Sequence, residues 1–357
     1  MQASEKIFLD KILATGAEYK ASDFHFSVGN PPILRVDGKL IPLTKEPILN
    51  TDFLNDFVAS ILDKEQQKVL AEEKEIVFAY TMGNKARFKI SIFFQKGNLS
   101  VSLRLISSQI KSIKELGLPG VVEKFAELEK GLVVITGPFG SGRTGTLAAL
   151  INTINKVRSE HIVTIEKPIE FVFTNNKSII EQREVGRDTR SFTQALRTAS
   201  HEDVDVIYVS EMDSPEVAES VLNAAESSRL VITSMNTDSV LRTLEKIISF
   251  FPEDRQEQIR AQLASVVEGV ISQRLLPRVG GGRIAVAEVM IPNDPVRSVI
   301  REGAIYQINN ILQTSREEGM ISLDRSLVEL VRTGEILIDD ALANAVDKQN
   351  LKLMLRR

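Results

Sequence analysis

The chain contains no cysteine among its 357 residues. That excludes disulfides and thiolate metal sites, and it fits a reducing cytoplasm. No apolar run approaches the roughly 20 residues needed to cross a bilayer, so any membrane association is expected to run through a partner. The opening MQASEKIFLDKILATGAEYK carries acids and bases at every turn and lacks the layout of a signal peptide. Neither glycine (20) nor proline (12) is in excess, which removes collagen-like and low-complexity classes. The three histidines, His25, His161 and His201, lack the spacing of metal ligands and read as solvated or structural. A net charge of -4 gives no electrostatic reason to expect a nucleic-acid partner.

What is present is a core-forming composition, 43% hydrophobic, on a chain long enough for two or three domains. Residues 1–106 mix helical and alternating patterns. DFLNDFVASILDKEQQKVLAEEKE (52–75) has i, i+3, i+4 apolar spacing and predicts a helix, while FHFSV, ILRVDGKLI, EIVFAY, ARFKISIFF and LSVSLRLI alternate as strands, with VDGK as a hairpin turn. Helices beside an antiparallel sheet predict a small α+β domain. A polar bridge, residues 107–120, is the candidate hinge linker. From there to residue 357 the apolar runs no longer alternate: LVVIT, HIVTIE, DVIYVSE, RLVITSMN and RIAVAEVMI read as strands buried on both faces of a parallel sheet. Amphipathic helices separate most of them, for example PEVAESVLNAAESS and DRQEQIRAQLASVVEGVISQRLL (254–276), and the last fifty or so residues read as mainly helical. The prediction for 121–357 is a doubly wound α/β domain whose ligands gather at the carboxyl ends of the strands.

The stretch GLVVITGPFGSGRTGTLAAL (131–150) runs from a buried strand through three glycines into a helix. That is the layout of a phosphate-binding loop, in which main-chain N–H groups and the helix dipole face an anion. The pattern G-x-x-x-x-G-K-[ST] asks for lysine at 143, and the chain has Arg143. The candidate nucleotide contacts are Gly137, Pro138, Phe139, Gly140, Ser141, Gly142, Arg143, Thr144, Gly145 and Thr146, with the Thr144 hydroxyl available to a magnesium ion. The plainer alternative is a glycine-rich strand-to-helix turn. Glu211, near the end of DVDVIYVSEM, is expected at the tip of the strand beside the phosphate loop, where it can polarise an attacking water. Glu166 in TIEKPIEF and Asn236 and Thr237 in TSMNTDS end two further strands. Together these tips form a plausible shared site; singly, each is a solvated loop. VGGGR (279–283) reads as a tight turn.

Taken together these residues resemble the twitching-motility ATPase (PilT) family, the retraction branch of the secretion-ATPase superfamily of type IV pili and type II secretion. The likeness runs over nearly the whole chain. SDFHFSVGNPPILRVDGKL is similar to the opening of the family's N-terminal domain, GLVVITGPFGSGRTGTLAALI to its Walker A loop and HIVTIEKPIEF to its acidic box. QREVGRDTRSFTQALRTASHEDVDVIYVSEM resembles its Walker B region, TSMNTDS its His box, and PVRSVIREG, QINNILQTSREEGM and LDRSLVELV the C-terminal helices of the retraction subgroup. The resemblance implies a PAS-like N-terminal domain and a RecA-like motor domain with a helical C-terminus. It further implies a homohexameric ring with ATP and magnesium between domains. Such a ring works in the cytoplasm, peripherally on an inner-membrane platform protein, with a paralogous pilus ATPase as a further partner. By the same resemblance Glu211 and Glu166 are catalytic, and Arg87 and Arg104 are N-terminal arginines that reach the nucleotide.

Several positions depart from the family pattern. Arg143 replaces the Walker A lysine, Lys167 the acidic-box aspartate and Asn236 the histidine of the His box. His201 stands for an arginine, Ser228 and Arg229 for a Gly-His pair, and Ser210, Asp213 and Ser214 for Gly, Arg and Asp. These changes are expected to cluster at the nucleotide site. The strand tip that carries Lys167 should lie near the phosphate loop in a doubly wound sheet, and Lys167 is either a displaced phosphate contact or a solvated loop charge. Two readings follow: a pilus-retraction ATPase with weakened hydrolysis, or a non-catalytic nucleotide-binding ring that assists another motor.

Overall fold

The computed structural model describes residues 3–82, 86–107 and 109–356; residue 108 of the predicted linker lies outside that set. The chain divides into two compact units, Met1–Gln109 with Pro168–Phe171, and Ile110–Lys167 with Val172–Arg357.

In the first unit the order is α1 (Ala3–Glu18), β1 (Asp23–Ser27), β2 (Ile33–Val36), β3 (Lys39–Pro42), α2 (Thr51–Ile61), α3 (Lys64–Glu73), β4 (Glu75–Met82), β5 (Ala86–Gln95) and β6 (Asn98–Ile106). The strands form one antiparallel sheet in the order β3-β2-β1-β6-β5-β4. Alternate residues of β5, Phe88, Ile90 and Ile92, are buried with Leu54, Phe57, Val58 and Ile61 of α2. The predicted single helix over 52–75 is two. Asp63 and Gln66 form a capping box, each side chain accepting from the other's backbone N–H, and this starts a new helix.

The second unit holds β7 (Gly131–Thr136), α4 (Arg143–Val157), β8 (His161–Glu166), β9 (Ile179–Glu184), α5 (Phe192–Ala199), β10 (Val206–Val209), α6 (Pro215–Glu226), β11 (Leu230–Met235), α7 (Val240–Ser249), α8 (Glu253–Val266), β12 (Val267–Pro277) and β13 (Arg283–Met290), then helices α9 (Asp294–Glu302), α10 (Ile308–Thr314), α11 (Leu323–Arg332), α12 (Ile338–Asn344) and α13 (Lys348–Arg356). Its sheet runs β13-β12-β7-β11-β10-β8-β9, parallel except for the edge pair β12/β13. Every residue of β7, β10 and β11 is buried, as unbroken apolar runs require.

The amphipathic pattern over 254–276 is a helix only to Val266; the rest is β12, paired with β7. Gly269 is the physical reason. The ring of Phe125 lies where a Cβ at 269 would be, so the backbone approaches closely there, and glycine is a poor helix residue. The run VISQ is then long enough and apolar enough to enter the sheet.

Candidate functional site

At the end of β7 the chain turns through Gly137, Gly140 and Gly142, all at positive φ, into α4. A Cβ on Gly137, at φ 154, would collide with the Gln273 carbonyl and the Ser141 hydroxyl, so only glycine fits. Helix α4 starts without a side-chain cap, which leaves its first N–H groups facing outward for an anion. Ser141 is buried and its hydroxyl has no hydrogen-bond partner among the described residues, while Phe139 at the loop's apex is 76% exposed. The loop is braced from β12: Gln273 Nε2 donates to the Ser141 carbonyl at 2.8 Å, and its Oε1 accepts from Thr146 Oγ1 at 2.8 Å. Sequence reasoning missed Gln273 because it lay inside the run taken as helix. At the end of β7 the Thr136 hydroxyl meets the carbonyl and hydroxyl of Thr237, just after β11, and Thr237 in turn bonds Thr243 on α7.

Glu211 follows β10, and its neighbours hold it in place: Ser210 accepts at its carbonyl from Ser234 Oγ at 2.7 Å, and Met212 N–H donates to the Ser234 carbonyl at 2.8 Å. The strands beside β7 are β12 and β11, not β10, so Glu211 starts two ladders from the loop, about 10 Å at the usual strand spacing. Arg143 spans that gap. Its guanidinium stands 3.8 Å from the Glu211 carboxylate, with the arginine side chain 16% and the glutamate 44% exposed.

The other predicted positions are not all brought together. Asn236 ends β11, next to the loop's strand, and is exposed. Glu166 ends β8, three ladders away, and is buried, accepting from Thr164 Oγ1 at 2.8 Å and Gln182 Nε2 at 3.0 Å. Lys167, next in sequence, is exposed; at about 14 Å of strand spacing, the expected closeness of its strand to the loop does not hold. The expected clustering of departures fails for three positions. Gly131, at the start of β7, donates its N–H to the Arg229 carbonyl, so Arg229 lies roughly 20 Å of strand from the loop. Its guanidinium donates to the carbonyls of Ser200 and Glu202, on either side of His201. Thus His201, Ser228 and Arg229 form one patch at the amino ends of the strands. In the first unit, Arg87 donates to the carbonyls of Ile169 and Glu170 and to the Thr81 hydroxyl, and Arg104 pairs with Asp23 at 2.7 Å.

Among the described residues no group of three or more His, Cys, Asp or Glu side chains could hold a metal ion. The donor set at the loop, one hydroxyl at Thr144, suits a magnesium ion that arrives with phosphate oxygens of a nucleotide rather than one held by protein alone. Also among the described residues, no helix is long and apolar enough to cross a membrane.

The family model described as type II/IV secretion system protein matches residues 2–343. Over 342 residues the chain is 36% identical to the type IV pilus retraction ATPase PilT of Pseudomonas aeruginosa, covering 96% of this chain and 99% of that one. It is 34% identical over 348 residues to the type IV pilus ATPase PilU of the same bacterium, covering 97% and 91%. Among solved structures, the pilus retraction motor PilT with bound ADP is similar with a TM-score of 0.84 at 38% identity, over 96% of this chain and 98% of that one.

Proposed function

The chain belongs to the type II/IV secretion system protein family, and from that premise we propose that it is a pilus-retraction ATPase whose own hydrolysis is slow. The carrying observation is the convergence of Arg143 and Glu211 at 3.8 Å, although their elements are two ladders apart. The phosphates of ATP would lie against the uncapped start of α4 and the glycines at 137, 140 and 142, with Gln273 keeping the loop in shape. Thr144 would hold the magnesium ion that accompanies the nucleotide, and such an ion would supply neutralisation of the phosphate charge. Glu211 is the base that would orient the attacking water. Arg143 carries the positive charge of the usual lysine on a planar, bulkier group, and in its observed position that charge is shared with Glu211 instead of being directed at a terminal phosphate alone.

The assembly that fits this reading is a homohexameric ring, acting on the cytoplasmic face of the inner membrane through a platform protein. The second reading, a ring that binds nucleotide without turnover and assists a paralogous pilus ATPase, is favoured by the same Arg143–Glu211 pairing and by the exposed Asn236. Two measurements test the proposal. A labelled ATP should titrate onto the purified chain with micromolar affinity or better. In the parent bacterium, loss of the chain should abolish or slow retraction of tethered pili, and wild type but not Glu211→Ala should restore it. Full rescue by Glu211→Ala would instead select the non-catalytic ring.

A further inference from the structure

The second unit contains a cavity of about 640 Å³ between the β12/β13 edge, the start of α7 and the C-terminal helices. Arg274 and Glu288 are among its lining residues. Arg274 lies on β12 opposite Val286, and Glu288 is two residues further along β13, so the two side chains share one face of the sheet. Arg274 reaches out of the sheet with both ends of its fork. Nη2 is 3.2 Å from the carbonyl of Asp238, in the loop between β11 and α7, and Nη1 is 3.2 Å from the carbonyl of Asn344, the last residue of α12. Glu288 is 5% exposed and accepts the N–H of Val240, the first residue of α7. On the far wall Asp324 of α11 accepts the N–H groups of Val346 and Asp347, fixing the turn that follows Asn344.

We propose that Arg274 is a positioning residue that couples the β11–α7 loop at the nucleotide end of the sheet to the C-terminal helices. The path is continuous and lies within one unit. Thr136, at the root of the phosphate loop, bonds Thr237; the next residue, Asp238, gives its carbonyl to Arg274; and Arg274 holds Asn344 at the head of the turn that Asp324 caps. A shift of the 236–239 loop therefore pulls on the 344–347 turn through one guanidinium. The planar fork sets Nη1 and Nη2 apart at fixed positions, so each reaches a carbonyl on a different element; a lysine ammonium has three donors but all on one nitrogen, and does not span the same gap. The coupling is reciprocal, so whatever moves the C-terminal helices also acts back on the loop.

The test is amide hydrogen exchange on the full chain, with and without saturating ADP, in wild type, Arg274→Ala and Arg274→Lys. It rests on nucleotide binding at the loop, which protection of residues 137–146 on adding ADP reads separately. In wild type, ADP should also slow exchange in both 236–244 and 344–351. In Arg274→Lys, which keeps charge and stem, the first two responses should persist and the response at 344–351 should fall at least threefold. An undiminished C-terminal response in both variants would overturn the proposal. Should ADP protect nothing, the nucleotide reading fails, and the coupling is judged without ligand: Arg274→Ala must then raise exchange in 236–244 and 344–351 together, and loosening of one segment alone contradicts it.

Discussion

The guanidinium of Arg143 lies 3.8 Å from the carboxylate of Glu211. At that distance the two share a field but no short hydrogen bond, and the glutamate remains nearly half exposed. A pair so open to water adds less than about 1 kcal/mol to stability. Its consequence is chemical: the cation of the loop and the carboxylate meant to orient water meet each other before a nucleotide meets either.

Gln273 is predicted to matter as much as any residue of the loop itself. Gln273→Met keeps the volume but strips the buried Ser141 carbonyl of a donor and the Thr146 hydroxyl of its acceptor. Each orphaned group costs about 1–3 kcal/mol. Thermal unfolding should fall accordingly, and affinity for labelled ATP should drop about tenfold. An unchanged affinity would mean that the glycines shape the loop without help from β12.

Lys167 should prove silent. Three ladders separate β8 from β7, and the side chain is exposed. Lys167→Ala is expected to change labelled-ATP affinity less than about twofold, well under the 1.4 kcal/mol of a tenfold effect. A tenfold loss would revive the displaced phosphate contact.

Glu288 gives the chain a pH dependence. Burial pushes its carboxyl up to about 7, against the pull of the Val240 N–H and Arg274, with Asp324 and Asp238 adding to the rise. A raised carboxyl pKa means that the folded state resists ionisation that the unfolded chain accepts. The cost is absent below about 4.5, grows as pH rises, and is full above about 7. At 1.36 kcal/mol per unit it reaches about 3 kcal/mol. Glu288→Gln, which still accepts from Val240, should therefore melt close to wild type at pH 5 and several degrees higher at pH 8. Equal melting curves at both pH values would show that water or Arg274 relieves the buried charge.

Much of this was legible in the sequence. Apolar runs without alternation, such as LVVIT and RLVITSMN, read as doubly buried strands, and the glycine spacing at 137, 140 and 142 placed the loop between a strand and a helix. Strand order was not legible, because it depends on pairings between segments far apart in the chain. That is why β11, not β10, turned out to flank the loop strand, and why Lys167 was expected too close to it. The helix-to-strand change at Val267 was hidden because VVEGVISQRLL satisfies either period over so short a run; the contact that decides it, Phe125 over Gly269, comes from more than a hundred residues away. Gln273 was hidden with it. The His201–Arg229 patch looked like part of the nucleotide site only because its residues depart from the family alongside Arg143; parallel strands carry it to the opposite end.

The most direct measurement is steady-state phosphate release by the purified chain, by Arg143→Lys and by Glu211→Ala. If Arg143 holds hydrolysis down, restoring the lysine should raise the rate at least about tenfold, toward the hundredfold scale of one well-placed charge contact, and Glu211→Ala should remove what activity there is. A rate for Arg143→Lys no higher than wild type, or activity that survives Glu211→Ala, would contradict the account.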